Sequence, residues 1–143
     1  MTVTTTANRM ALEAICREFG LQILYAFGSR GKEAYAWVAG TEAALPHGAS
    51  DLDIGVKPAE SLTVRSKVEL AQALEELFGV ERVELVVLSE ADPFLAANVI
   101  RGERLFADDR YLADEYDLYM LRRAGDLIPL ERERQVLIMG AKL

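Results

Sequence analysis

The chain has 143 residues, the length of one ordinary domain, and 51% of them are hydrophobic, enough for a packed core and too many for a disordered chain. Its 16 basic and 23 acidic side chains leave a formal charge of -7, which counts against extended nucleic-acid binding, a task that favours a basic face. A single cysteine, Cys16, excludes an internal disulfide and fits a reducing compartment.

Residues 1–8 are polar and Thr-rich, without the basic and apolar regions of a secretory signal. Ala11, Leu12, Ile15 and Phe19 share one helical face, and Gly20 is placed to close that helix. Cys16 reads as a small core residue there rather than a reactive thiol. Residues 21–27 (LQILYAF) are a short apolar run and predict a buried strand that stops at Gly28-Ser29. A second helix is expected over residues 30–38, then a loop over 40–49 with Pro46, His47 and Gly48 as breakers. Residues 51–57 (DLDIGVK) alternate polar and apolar side chains, the period of a strand, and Pro58 ends it.

Val64, Val68, Ala71, Leu74 and Phe78 recur at three- and four-residue steps and predict an amphipathic helix over 64–78. Residues 82–88 (RVELVVL) predict a third strand. Asp92 and Pro93 suit the cap and first position of a helix that ends near Gly102. Residues 104–107 predict a short edge strand. Asp108 and Asp109 open a last long helix, which Arg122, Arg123 and Gly125 are expected to close. Tyr111, Tyr116 and Tyr119 on that helix read as core or interface packing. The tail from Asp126 is apolar at Leu127, Ile128, Leu130 and residues 136–139, the pattern of a contact with a partner or a second copy. No apolar run approaches the roughly 20 residues that span a bilayer. The expectation is a cytoplasmic protein without a membrane segment, folded as a single domain over 1–143.

Three acids carry the chemical signal. Asp51 and Asp53 are two apart, so on a strand both carboxylates point to one face. Two carboxylates on one face repel unless a cation lies between them, and a hard ion such as Mg²⁺ suits oxygen ligands. Glu84 interrupts an apolar strand, where a carboxylate is costly unless paired, metal-bound or on an exposed face. Upstream, Gly28 permits close approach of the backbone to a ligand, and a helix starting at Ser29 would aim free N–H groups at an anion. Ser29 adds a hydroxyl and Arg30 a phosphate-binding fork. The plain alternatives are a solvated strand face for the acids and an ordinary turn for Gly28-Ser29. A P-loop is excluded, because Ala26 and Glu33 stand where the motif needs Gly and Ser or Thr. His47, the only histidine, has no Cys or His partner for a zinc site.

The run YAFGSR, then SDLDIGV, then RVELVVL resembles the minimal nucleotidyltransferases of the DNA polymerase beta superfamily. That pattern is a Gly-Ser after the first strand, an Asp-x-Asp on the second and a third carboxylate on a later strand. Gly28, Ser29, Asp51, Asp53 and Glu84 occupy those places, and the resemblance covers about residues 8–108. It implies an α/β (α+β) fold, a small mixed sheet with helices mainly on one face. It implies nucleotidyl transfer, with two Mg²⁺ ions held by Asp51, Asp53 and Glu84 and ATP bound through Gly28, Ser29 and Arg30. Small stand-alone members are often the antitoxins of HEPN-domain toxins, and some move AMP from ATP to a tyrosine of the toxin. Two departures stand out. Ser29 and Asp51 lie 22 positions apart, a longer interval than the shortest members have, and the third carboxylate is Glu84 rather than Asp. Both features also suit a second reading, an antitoxin that neutralises its partner by binding, with little or no catalysis.

Overall fold

The computed structural model describes residues 6–41, Leu45 and residues 51–140, with side chains described to Leu127. Helix α1 (Ala7–Glu18) begins where the Thr6 hydroxyl accepts the Arg9 N–H at 3.0 Å, and it buries Leu12 and Cys16. Strand β1 (Leu21–Phe27) follows, as the apolar run predicts. A single 3₁₀ turn at Gly28–Arg30 leads into α2 (Gly31–Ala39), which ends at Gly40. Strand β2 (Leu52–Pro58), helix α3 (Val64–Phe78) and strand β3 (Val83–Val87) form a strand–helix–strand unit. Helix α4 (Pro93–Ile100) is capped by Asp92, strand β4 spans Glu103–Ala107, and α5 spans Arg110–Gly140.

The sheet order is β3-β2-β1-β4, a mixed sheet. β1 runs antiparallel to both β2 and β4, while β2 and β3 are parallel. Parallel neighbours need a crossover, which α3 supplies. β3 and β4 are therefore edge strands.

Helices cover both faces of the sheet, a fuller covering than one helical layer. On one face α1, α2 and α3 pack on Leu24, Ala26, Leu52, Ile54 and Val56. On the other, α4 and α5 pack on Ile23, Tyr25 and Phe27. Consecutive residues of β1 thus face opposite cores, which is why the strand reads as continuous apolar sequence. Trp37 and Phe78 join α2 to α3, with ring centroids 4.9 Å apart. Burial pushes the Cys16 thiol up to about 12, so it is an inert core group. The buried Tyr25 hydroxyl donates to Asp117, and Arg104 donates to Asp117 at 3.0 Å and pairs with Asp114 at 2.8 Å. That network fastens α5 to β1 and β4.

Two expectations differ from the structure. The buried face of α3 is Leu70, Leu74 and Phe78, while Val64 and Val68 are exposed. Helix α5 does not close at Gly125 but continues to Gly140, because one glycine weakens a helix by only about 1 kcal/mol. Tyr116 packs against the second core, but Tyr111 and Tyr119 are exposed. Pro46, His47 and Gly48, and the side chains of Ile128, Leu130 and residues 136–139, lie outside the described residues. Among the described residues, no helix is long and apolar enough to cross a membrane.

Candidate active site

The predicted residues meet at one end of the sheet. β1 stops at Phe27, and Gly28 turns the chain with φ of 71°, a left-handed conformation that favours glycine. A second reason requires glycine here: a Cβ on Gly28 would overlap the Asp53 carboxylate. Phe27 pairs with Asp53 across β1–β2, and Asp53 pairs with Glu84 across β2–β3. The three form one row across the sheet. Asp51, two residues before Asp53, lies on the same face, opposite the layer that buries Leu52 and Ile54.

Ser29 is exposed beside the turn. Arg30 is not a free fork at the surface. Its side chain is buried, and its Nε donates to Glu33 Oε2 at 3.1 Å. Arg30 therefore braces the turn against α2, with its guanidinium already engaged.

The three acids burden one another electrostatically. The Asp53 carboxyl is held above the ordinary carboxylate range, first by burial and then by the charges of Glu84 and Asp51. A side chain that sequence reasoning missed partly offsets this charge. Arg82 approaches Asp51 Oδ2 with Nε at 3.5 Å and Glu84 Oε2 with Nη2 at 3.6 Å. The Leu52 N–H donates to the Arg82 carbonyl at 3.1 Å, and the Val83 N–H to Glu75 Oε2 at 2.9 Å. These bonds fix Arg82 between the starts of β2 and β3. The signal available in the sequence was a cation two residues before Glu84, but only the parallel register brings it to Asp51.

The oxygen donors suit a hard divalent ion. Asp51 and Asp53 are the natural pair. Among the described residues, no three Asp, Glu, His or Cys side chains converge closely enough to hold one ion together. Glu84 is exposed and turned to Arg82, so it joins such an ion only by leaving that contact. A cavity of about 600 Å³, lined by Gln22, Lys57, Asp108 and Tyr116 among others, lies at the opposite end of β1 and is no part of this site.

This arrangement, a glycine turn against an Asp-x-Asp strand in a mixed sheet, is that of a nucleotidyltransferase domain, and comparison with known proteins agrees. The family "Polymerase beta, Nucleotidyltransferase" matches residues 11–111, and the chain belongs to that family. No curated protein matches significantly. Among solved structures, a toxin–antitoxin with AMP-PNP is 25% identical, with a TM-score of 0.64 over 95% of this chain and 99% of that one. The MntA-HepT toxin–antitoxin is 24% identical, with a TM-score of 0.61 over 95% and 97%. A tri-AMPylated HEPN toxin in complex with MNT antitoxin, from Shewanella oneidensis, is 23% identical, with a TM-score of 0.64 over 98% and 100%.

Proposed function

We propose that the chain moves AMP from ATP onto a protein, and that its acceptor is a HEPN-type toxin which it thereby neutralises. The observation that carries this reading is the contact between the Gly28 turn and Asp53, with Asp51 and Glu84 on the same sheet face. Membership of the nucleotidyltransferase family supports the reaction class. The likeness to a toxin–antitoxin with AMP-PNP supports the nucleotide and the kind of partner.

In this reading Asp51 and Asp53 would hold the Mg²⁺ ions, with Glu84 as the third ligand once it leaves Arg82. Ions bound there would supply charge compensation for the triphosphate and the departing pyrophosphate. The Ser29 hydroxyl and the N–H groups of the turn meet phosphate oxygens, and the missing side chain of Gly28 lets them approach. Arg30 keeps the turn in shape through Glu33. The acceptor hydroxyl oxygen attacks the α-phosphorus, the bond to the β-phosphate breaks, and pyrophosphate leaves with the electron pair. Glu84 accepts the hydroxyl proton.

Intact-mass analysis of the toxin from the neighbouring gene, incubated with this chain, ATP and Mg²⁺, tests the proposal. The expected result is a shift by whole AMP units, absent with Asp51→Asn. The contact of Arg82 with Asp51 and Glu84 favours a second reading, neutralisation by complex formation alone. An unchanged mass within a stable complex would establish that reading instead.

A further inference from the structure

Strand β4 is open along one side. It pairs with β1, and no strand lies beyond it among the described residues. An edge strand presents backbone N–H and C=O groups that no neighbour satisfies, a template for one more strand. A cavity of about 310 Å³ runs along this strand. Four consecutive residues, Arg104 to Ala107, line it, together with Arg9 and Glu13 of α1, Tyr35 of α2 and Arg110 of α5. Helices α1 and α2 cover one face of the sheet and α5 the other. The cavity therefore lies along the free edge and not over a single face.

Arginines surround this edge in a chain whose formal charge is -7. Arg104 is committed to Asp114 and Asp117. Arg9 and Arg110 have no ion-pair partner among the described residues. Glu13, the one acid in the wall, is taken up by Arg17 at 3.5 Å, and Arg17 itself stands 5.8 Å from the centroid of the Phe106 ring. Asp108 and Asp109 line the separate cavity beside Tyr116, and Asp109 accepts the Leu112 N–H at 3.1 Å. Arg110 opens α5, the end at which the helix dipole disfavours a cation. An anion brought beside it would offset that conflict.

We propose that the free edge of β4 takes up an extended acidic segment of a partner protein as a fifth strand of the sheet. Main-chain hydrogen bonds along residues 103–107 hold the segment, and the arginines select its charge. Side chains of a strand alternate between its two faces, so neighbouring carboxylates reach Arg9 from one helical layer and Arg110 from the other. A second copy of the chain is a poorer occupant, because it brings a further charge of -7 and doubles the arginines along the seam. A nucleic-acid strand brings anions but no backbone that continues a sheet. In the order β3-β2-β1-β4 this edge lies across the sheet from Glu84, so the inference stands apart from the transferase reading.

The test is a magnetic resonance titration of the isotope-labelled full chain with a capped hexapeptide of glutamate and valine. The amide signals of residues 103–107 should shift, and their hydrogen exchange should slow. Arg9→Gln and Arg110→Gln are surface changes outside the acid row. Each should weaken binding about two- to fivefold, and the two together about tenfold. The same peptide with every backbone nitrogen methylated keeps its charge but cannot extend the ladder, and it should bind at least about tenfold more weakly. Equal affinity of the methylated peptide, or of an oligouridylate of matching charge, overturns strand addition. So does failure of the acidic peptide to bind, or binding that leaves residues 103–107 unchanged. A dimer of the unaltered chain joined through residues 103–107 would give the edge to a second copy and overturn the proposal as well.

Discussion

Asp53 and Glu84 stand side by side in register across the parallel β2–β3 pair, two acids on one face of the sheet. Like charges so placed oppose folding by a few tenths to about 1 kcal/mol. The site therefore weakens the fold that carries it. Asp53→Asn keeps the shape of the side chain and removes one charge. It should abolish AMP transfer while stabilising the protein by about 0.5 kcal/mol at neutral pH, after allowance for solvent screening. The sign with pH follows from the raised carboxyl of Asp53. The folded state binds that proton more tightly than the unfolded state, so the penalty is absent in acid. It grows as pH climbs from the ordinary carboxylate range through the raised value. Urea unfolding of both proteins should show the advantage of Asp53→Asn at neutral pH and its disappearance in acid. An equal advantage at both pH values would contradict this account.

Gly28→Ala and Gly20→Ala form a matched pair. Both glycines have positive φ, 71° and 66°, but a Cβ at Gly20 meets nothing within 4 Å. Gly20→Ala should lose about 1–2 kcal/mol from backbone strain alone. Gly28→Ala carries the same strain and also pushes the Asp53 carboxylate aside, so it should be less stable than Gly20→Ala and lose transfer altogether. Equal unfolding midpoints and retained transfer would deny the close approach at Gly28.

Arg82 would compete with a divalent ion for Asp51 and Glu84. It is 69% exposed, so its contribution is modest. Arg82→Gln should tighten Mn²⁺ binding about two- to fivefold, measured by paramagnetic resonance of the free ion. Weaker binding in the variant would show that Arg82 supports the ion site instead.

Tyr25→Phe removes one hydroxyl from the network that fastens α5. Asp117 keeps its bond from Arg104, so the expected loss is about 1–2 kcal/mol in urea unfolding. Because Tyr25 lies at the α5 end of the second core, transfer activity should persist. An unchanged midpoint would show that the hydroxyl contributes nothing to the attachment of α5.

Much of this was legible before any coordinates. The LQILYAF run marks β1 at its observed bounds, and Val64–Phe78 is the helix that its periodicity predicts. The spacing of Asp51 and Asp53 announces a shared face. What local sequence does not encode is which strands become neighbours. The parallel β2–β3 register, which sets Glu84 beside Asp53 and Arg82 beside Asp51, arises from the packing of α3 over the sheet. Arg30 reads as a ligand-binding fork, yet its side chain is buried and its Nε is engaged by Glu33 one turn later.

The edge position of β3 bears on how the site can fail. Its five residues pair only with β2, and its outer side has no strand neighbour among the described residues. Outer strands exchange their amide protons through local fraying, without global unfolding. Such an opening would carry Glu84 away from Asp53 while β1, β2 and the glycine turn stay together. The third acid is thus mounted on the one strand of the acid row that lies at a sheet edge, where local opening would reach it before Asp53.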